Sequence, residues 1–572
     1  SLHKILDTLP RVIGFIRLRF YTRILLRLKD SAQVMTVNSQ PLRSSPPVRI
    51  LAFLGILTTF VLVWAPYVTT LVFATEFVST GNESLAYRYF LSERAWTGRP
   101  GFVWQGHLTS VIQHAVYGAL QMPIFTISGF RTQLQAFASL TLMLNAFITS
   151  LVLVFAMLDK HLKAPDRALV AIAALAPIYC LGNQGPYYAL LPDYYAFDIS
   201  LAAATVWLTL RLLRASDVSK AHMPVWVVVG IVTGLLAGNK ATMGLLALPA
   251  VAALVVSERR SIIIVTVTAA ATLFLLFFAY YLGDIREILA FPATWVRLVR
   301  HSQGEGSAAR IAWLAQVVAG PYGLVLFLGI LSGAVSTIRS QTHLSSRAGK
   351  AVAWSGWLVL AGFCFVMLKR PSGTTLFEVG IAVIAMSCIW LGAVPSERSR
   401  RRWVTAAILV YAASVLAFFD VRHNLQVLAV ARVDADERWE WYDTVASIAQ
   451  GRPVLVALAD NEYAHGGVHE LLLKGAADFP TWHVSPRGEE LIDRHARGLR
   501  FINEYEGTLL TSPIPRGTVL VWYDRPDLEP LSDRVPEIRR LSNAGDYTCM
   551  TRHIHHGGGI QVVGHVCSPK SR

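Results

Sequence analysis

Charged side chains are scarce in this sequence, and those that could do chemistry gather at the ends of its apolar runs. Only 16% of the 572 residues are charged. A carboxylate such as Asp193, at the mouth of one run, can accept a proton from a weak nucleophile. Cations such as Lys369 and Arg370 can hold the charge of a phosphate. These residues predict acid–base and phosphate-binding chemistry at the rim of apolar elements.

The elements that must position these residues are long apolar runs. A membrane-spanning helix needs about 20 residues. Hydrophobic residues make up 53% of the chain, so an ordinary soluble domain is excluded. The net charge of +15 indicates anionic lipids and phosphate groups as partners rather than nucleic acid. We predict a mainly α-helical, polytopic membrane protein with about eleven transmembrane helices, near 50–74, 134–158, 168–185, 195–213, 223–238, 242–256, 261–282, 311–337, 351–368, 375–394 and 403–420.

Lys and Arg in the short loops predict the orientation. Every second loop is basic, and basic loops face the cytoplasm. Residues 1–48 form a basic amphipathic segment on that side, and residues 49–420 form the transmembrane domain. Because the helix count is odd, residues 421–572 lie outside. The sequence therefore predicts a multi-pass protein of the inner membrane with a cytoplasmic N-terminus.

The two predicted external regions have patterns of their own. In the long first external loop, 75–133, residues 84–96 are amphipathic, and apolar residues between Leu108 and Ala119 recur at helical spacing. The tail predicts a small α/β domain, with strands at 454–458 and 519–523 and helices at 462–474 and 487–500. In an oxidising compartment, Cys549 and Cys567 could form a disulfide. The histidines from His553 to His565 favour a hairpin with a glycine turn over a metal site.

One motif resembles a known family. Asn82 and Glu83 follow the first apolar run, with Tyr87, Tyr89, Gly98, Pro100 and a helix entered at His107 behind them. Together with the long first external loop, the eleven or so predicted spans and the external C-terminal domain, this run resembles the GT-C superfamily. These are membrane glycosyltransferases that use polyprenyl-phosphate-linked sugars. The closest likeness is to the families of the lipid A aminoarabinose transferase and the protein O-mannosyltransferases. The departure is Asn82, which stands where those families usually have Asp.

The resemblance implies roles for particular residues. Glu83 becomes the general base that takes the proton of an acceptor hydroxyl. A solvated loop glutamate is the alternative reading. Glu76 is the runner-up, with a helix-end residue as its alternative, and Asp193 is a further acid candidate. Tyr87, Tyr89 and His107 become substrate-binding residues.

The departing phosphate needs cations, and the predicted external loops offer several. Lys240 stands where the superfamily often has a Thr-Lys pair, and it would bind phosphate as a point charge. A lysine snorkelling at a helix end is the alternative. Lys369 and Arg370 oppose the positive-inside trend, so a lipid phosphate or an outer-leaflet headgroup is expected there. The other candidates belong to the loop 283–310: Arg286, Arg297, Arg300 and His301.

The function that follows is transfer of a sugar from a polyprenyl-phosphate donor to an envelope lipid, glycan or protein acceptor, lipid A included. A lipid-linked polysaccharide polymerase or ligase is the first alternative. A flippase or transporter is the second. Transporters place ionisable residues near the bilayer midplane, whereas here these residues gather at the ends of the apolar runs, which counts against transport. No cofactor is implied with certainty. Participation of a divalent cation stays open, and a carboxylate without an Asp partner favours transfer without metal.

Overall fold

The structure is a computed structural model, and it describes part of the chain. The chain divides into two compact units, residues 1–59 and 60–572. The described residues are 46–73, 85–96, 106–124, 127, 130–181, 189–190, 194–214, 223–286, 288–292, 321–341, 346–369, 373–450, 452, 454–458, 499–503, 517–524, 530, 539, 546–556 and 560–570.

Helices dominate the described residues, as the sequence predicted. The α-helices are α1 Pro46–Phe73, α2 Leu85–Trp96, α3 His107–Leu120, α4 Phe130–Leu158, α5 Ala164–Tyr179, α6 Tyr194–Arg214, α7 Met223–Asn239, α8 Leu248–Ser257, α9 Ser261–Tyr280, α10 Pro321–Ser340, α11 Arg347–Lys369, α12 Gly373–Ala393, α13 Glu397–Phe418 and α14 Val421–Ala449. A 3₁₀-helix, Ala241–Ala247, joins α7 to α8.

Eight of these helices are long and apolar enough to cross a membrane, which confirms a polytopic membrane protein. The segments Met223–Asn239 and Ala241–Ser257 are apolar but shorter, and α5 has 16 residues. The predicted count of about eleven spans is therefore not confirmed. The predicted helices in 84–96 and 108–119 correspond to α2 and α3.

The centre of the bundle is formed by α6 and α12. In their apolar windows 83% and 94% of the residues are buried, against 17% in α9. Helix α12 packs against α5, α6, α10 and α11. Apolar side chains such as Ile263 and Leu275 of α9 face outward, as expected of helices whose solvent is lipid.

Arginines from two helices converge on one carboxylate where α6 ends and α5 and α13 begin. Asp166 is fully buried and accepts hydrogen bonds from Arg214 at 2.7 and 2.9 Å. Arg400 of α13 lies 3.5 Å from the same carboxylate. A buried charge requires such partners, so this pairing ties three helices together. We call these three residues the Asp166 clamp.

The C-terminal region forms a five-stranded sheet and α14. Its strands are β1 Val454–Leu458, β2 Leu499–Asn503, β3 Val519–Asp524, β4 Tyr547–His556 and β5 Ile560–Pro569, in the order β2-β1-β3-β5-β4. The first three are parallel, and β5 is antiparallel to both β3 and β4. Both predicted strands and the β4–β5 hairpin are confirmed.

The two helices predicted in this region have different outcomes. The helix expected at 462–474 lies outside the described residues, as does 487–498. The helix expected at 487–500 is wrong at its end, because Leu499 and Arg500 belong to β2 and pair with Val454 and Leu455. Pairing with β1 overrides the local helical pattern there.

The C-terminal sheet shares a hydrophobic core with helices α2 and α3. Trp439 and Trp441 of α14 and Val521 of β3 belong to the same buried cluster as Tyr89 of α2 and Phe137 of α4. The ring centroids of Tyr117 and Phe137 lie 5.1 and 5.5 Å from that of Tyr89, in edge-on arrangements. Helices α2 and α3 are therefore held between the bundle and the C-terminal region.

Candidate active site at one end of the bundle

A buried ion pair lies at the end of the bundle where α7 ends and α12 begins. Lys240 follows α7, and its Nζ contacts Glu378 Oε1 in the second turn of α12. The side chains are 14% and 1% exposed. Glu378 therefore pairs with Lys240 rather than standing alone at the start of α12.

A second carboxylate lies beside this pair. Asp198, in the second turn of α6, is fully buried, and its Oδ1 accepts a hydrogen bond from Asn239 Nδ2 at 2.9 Å. Its Oδ2 has no hydrogen-bond partner among the described residues. Sequence reasoning selected Asp193 as the acid candidate of this region. An acidic residue a full turn inside an apolar helix was the signal that favoured Asp198.

Helix α3 begins against the same end of the bundle. Its N-cap, Gly106, has a left-handed backbone with φ of 84°, which glycine adopts without steric cost. The Gly106 N–H donates to the Asn239 carbonyl at 2.5 Å. Thr109 donates to Asn239 Oδ1 from its hydroxyl at 2.9 Å and from its backbone N–H at 3.3 Å. Helix α3 thus meets the ion pair through Asn239.

His107 lies inside an aromatic cage at the start of α3. The rings of Phe277, Tyr280, Tyr281 and Phe291 have centroids 4.4 to 6.0 Å from that of His107. Burial and then the nearby positive charge of Arg88 lower the pKa of His107 to about 3, against the opposing effect of a hydrogen bond with the Gly238 backbone. The ring is therefore neutral at physiological pH.

His114 lies further along α3 and is also neutral. Burial and then the charge of Arg88 lower its pKa to about 3. The Ser92 hydroxyl donates to the Arg88 carbonyl at 3.0 Å, so it accepts from His114 Nδ1 at 3.0 Å. This assigns the proton to Nδ1. Arg88 itself is buried and donates to Ser110 Oγ at 3.0 Å.

The structure places only some of the other predicted site residues. Tyr87 lies in α2, and Tyr89 is buried and donates from its hydroxyl to Gln133 Oε1 at 2.5 Å. Burial, and then the charge of neighbouring groups, raises the pKa of Tyr89 above its usual range. Arg286 is exposed. Lys369 is the last residue of α11, and the remaining candidates lie outside the described residues: Glu76, Glu83, Asp193, Arg297, Arg300, His301 and Arg370.

The cysteine pair and the group of histidines that the sequence analysis singled out lie in the C-terminal region. Cys549 of β4 and Cys567 of β5 face each other and are joined by a disulfide. Among the residues that the structure describes, no group of three or more His, Cys, Asp or Glu side chains could hold a metal ion. The described site is thus built from one ion pair, one further carboxyl group, the Arg88 guanidinium and neutral polar groups.

Comparison with known proteins shows the fold. No family model and no curated protein matches the sequence. The structure is similar to that of apo ArnT, an aminoarabinose transferase from Cupriavidus metallidurans, with a TM-score of 0.50 at 14% identity. The match covers 90% of this chain and 98% of ArnT. The chain has a GT-C-type fold, which confirms the fold predicted from the residues around Glu83.

Two further structures are similar at lower scores. ArnT bound to undecaprenyl phosphate matches 91% of this chain and 98% of its own, with 15% identity and a TM-score of 0.47. The oligosaccharyltransferase of Archaeoglobus fulgidus, in complex with Zn and sulfate, matches 72% of this chain and 61% of its own, with 12% identity and a TM-score of 0.38.

Proposed function

We propose that this protein transfers a sugar from a polyprenyl-phosphate-linked donor to an acceptor at the periplasmic face of the bacterial inner membrane. The main support is the buried polar cluster of Asp198, Asn239, Lys240 and Glu378, next to α3, in a fold shared with ArnT along nearly its whole length. Intramembrane ionisable residues mark functional sites by default.

In the proposed reaction the acceptor oxygen attacks the anomeric carbon of the sugar. The bond between that carbon and the phosphate oxygen breaks, and the phosphate leaves with the electron pair. Glu83 takes the proton of the acceptor hydroxyl, with Glu76 and Asp193 as the other candidate bases. A leaving phosphate needs no proton, but it needs cations that hold its charge.

Lys240 is the described cation best placed for that role. It is paired with Glu378 at the end of the bundle, and it is one residue from Asn239, which contacts α3. The remaining proposed phosphate and substrate ligands are those that the sequence suggested: Arg286, Arg297, Arg300, His301, Lys369, Arg370, Tyr87, Tyr89 and His107. Because His107 is sealed by aromatic rings, its proposed contact requires that cage to open.

The proposed orientation follows from the same cluster. The bundle end that carries Lys240 also carries α2 and α3, and these share a core with the C-terminal sheet. If this end is periplasmic, the domain 421–572 lies in an oxidising compartment, in agreement with the Cys549–Cys567 disulfide. The acceptor would be lipid A, another glycolipid, a polysaccharide or a protein.

The test is transfer of radiolabelled sugar from a panel of polyprenyl-phosphate donors to a membrane lipid extract. Glu83→Gln is expected to lower kcat by about 10²-fold or more while donor binding survives, because a general base contributes about 10² to 10⁴ in rate. The matched control is Glu258→Gln, a carboxylate that follows α8.

Three results are informative. Unchanged transfer in Glu83→Gln would move the base to Asp193 or Glu76. Growth of a chain of repeating units would favour the polymerase. Movement of lipid-linked sugar across vesicles, without transfer from any donor, would replace the transferase proposal with a flippase.

A further inference from the structure

Asn239 occupies an unusual position between three elements. It is the last residue of α7, it is fully buried, and both ends of its side-chain amide are used. Its Oδ1 accepts from Thr109 of α3, and its Nδ2 donates to Asp198 of α6. Its own carbonyl accepts from Gly106.

Helix α3 needs this residue because it lacks a cap of its own. The first N–H groups of a helix have no partner inside the helix, and an N-cap side chain usually accepts from the second or third residue. Here the N-cap is Gly106, which has no side chain, and the third residue is Thr109. The oxygen that accepts from the Thr109 N–H belongs to Asn239, on a different helix.

Thr109 fixes which way the Asn239 amide points. A backbone N–H group can only donate a hydrogen bond, and the Thr109 N–H faces the Asn239 side chain. The oxygen of Asn239 must therefore face Thr109, and its NH₂ group must face Asp198. The hydrogen bonds of these three residues run in one direction: Thr109 donates to Asn239, and Asn239 donates to Asp198.

We propose that Asn239 is a positioning residue that caps α3 from α7 and thereby sets the distance between the first external segment and the Lys240–Glu378 pair. Lys240 is the next residue in the chain, so displacement of Asn239 displaces both the start of α3 and the candidate phosphate ligand. The effect on transfer rests on the proposed function. The docking of α3 does not.

Exchange of the two side chains provides a sharp test. Asn239→Asp removes the NH₂ donor and places two carboxyl groups face to face, which repel each other when both are ionised. The double variant Asp198→Asn/Asn239→Asp restores the series of hydrogen bonds. The direction of donation between α6 and α7 is then reversed. The amide on α6 donates to the carboxylate on α7, and that carboxylate still accepts from Thr109. Asp198→Asn alone keeps an acceptor oxygen for Asn239. Thr109→Val removes one donor with little change in the shape of the side chain.

The readouts are amide hydrogen exchange of the peptide that covers 106–120, measured in detergent micelles, and kcat and KM with a radiolabelled donor. Asn239→Asp is expected to raise exchange in α3 by about tenfold or more and to lower kcat by at least about tenfold, the effect of about 1.4 kcal/mol. Asp198→Asn/Asn239→Asp should recover exchange protection, and Thr109→Val should lose part of it. The control, Thr233→Val in the middle of α7, should change neither.

Wild-type exchange in Asn239→Asp would overturn the proposal. So would a double variant that is no better protected than Asn239→Asp. If Asn239→Asp does not fold, recovery of folding in the double variant supports the proposal, and its failure overturns it. If no donor is turned over by the wild type, the proposed function fails, while the exchange comparison still decides the role of Asn239.

Discussion

At the scale of single residues, the candidate site combines charges that are compensated with neutral groups that are kept neutral. Lys240 and Glu378 are buried as a pair, whereas His107 and His114 are buried without charge. Burial disfavours the charged form of histidine, and Arg88 adds repulsion. Nε2 of each ring has no hydrogen-bond partner in the described part of the chain.

The two histidines predict a pH dependence of stability. Their pKa of about 3 in the folded protein lies below the unfolded value near 6.5, so between these values the unfolded chain binds more protons. Stability is therefore fully present above about pH 6.5 and falls as the pH drops toward 3. Each histidine contributes on the order of 4 kcal/mol to this loss.

The measurement is thermal unfolding in detergent micelles across that pH range. His107→Asn and His114→Asn, which retain a donor near Nδ1, are expected to reduce the slope of stability against pH. The exposed His423→Asn is the control and should leave the slope unchanged. A slope that is the same in all variants would show that neither ring is kept neutral by the fold.

At the scale of elements, close packing in the bundle depends on residues that lie far apart in sequence. The Trp390 ring of α12 is fully buried between Gly333 and Gly356. A Cβ at Gly356 would lie 2.6 Å from the Trp390 Nε1 atom, closer than real contacts allow. At the end of the bundle opposite Lys240, the Asp166 clamp joins α5, α6 and α13 through ion pairs instead of close packing.

The Asp166 clamp predicts a large loss of stability when its carboxylate is removed. Asp166→Asn leaves Arg214 and Arg400 without a countercharge at a site where Asp166 is 0% exposed, and the expected cost is about 3 to 5 kcal/mol. Glu397→Gln is the matched control, because Glu397 pairs with Lys163 and Arg401 at the surface. Its expected cost is about 0 to 1 kcal/mol.

Unfolding of wild type and both variants in mixed micelles would measure the loss in the free energy of unfolding caused by each substitution. Similar losses in Asp166→Asn and Glu397→Gln would contradict the clamp, since they would mean that burial does not distinguish the two pairs.

At the scale of the whole molecule, helices α2 and α3 are enclosed on two sides. Asn239 holds the start of α3 against the bundle, and the cluster around Tyr89, Trp439 and Trp441 holds α2 and α3 against the C-terminal region. The salt bridge between Arg552 and Glu440, at 2.6 Å, links the sheet to α14. The segment that follows the proposed base is thus positioned by both parts of the chain.

This arrangement predicts which surfaces are reached from outside the cell membrane. In a Cys364→Ala background, Lys570→Cys in the tail is expected to react with a membrane-impermeant maleimide in cells with a permeabilised outer membrane. Lys160→Cys, in a basic loop between α4 and α5, is the control and should react only after lysis. The opposite pattern would reverse the proposed orientation.

Local signals in the sequence were enough to predict most of the elements. Apolar runs of about 20 residues predicted the helices, and short β-branched runs predicted β1 and β3. The GT-C fold also followed, from the residues around Glu83 and the order of the segments. Local pattern failed at Leu499, where strand pairing with β1 decides the conformation.

Tertiary packing, by contrast, decided which polar residues contact each other. Asp198 and Asn239 are 41 positions apart, and Lys240 and Glu378 are 138 apart. No periodicity links residues at such distances. They meet because buried polar groups must find partners, and the helix ends that packing brings together are where those partners lie.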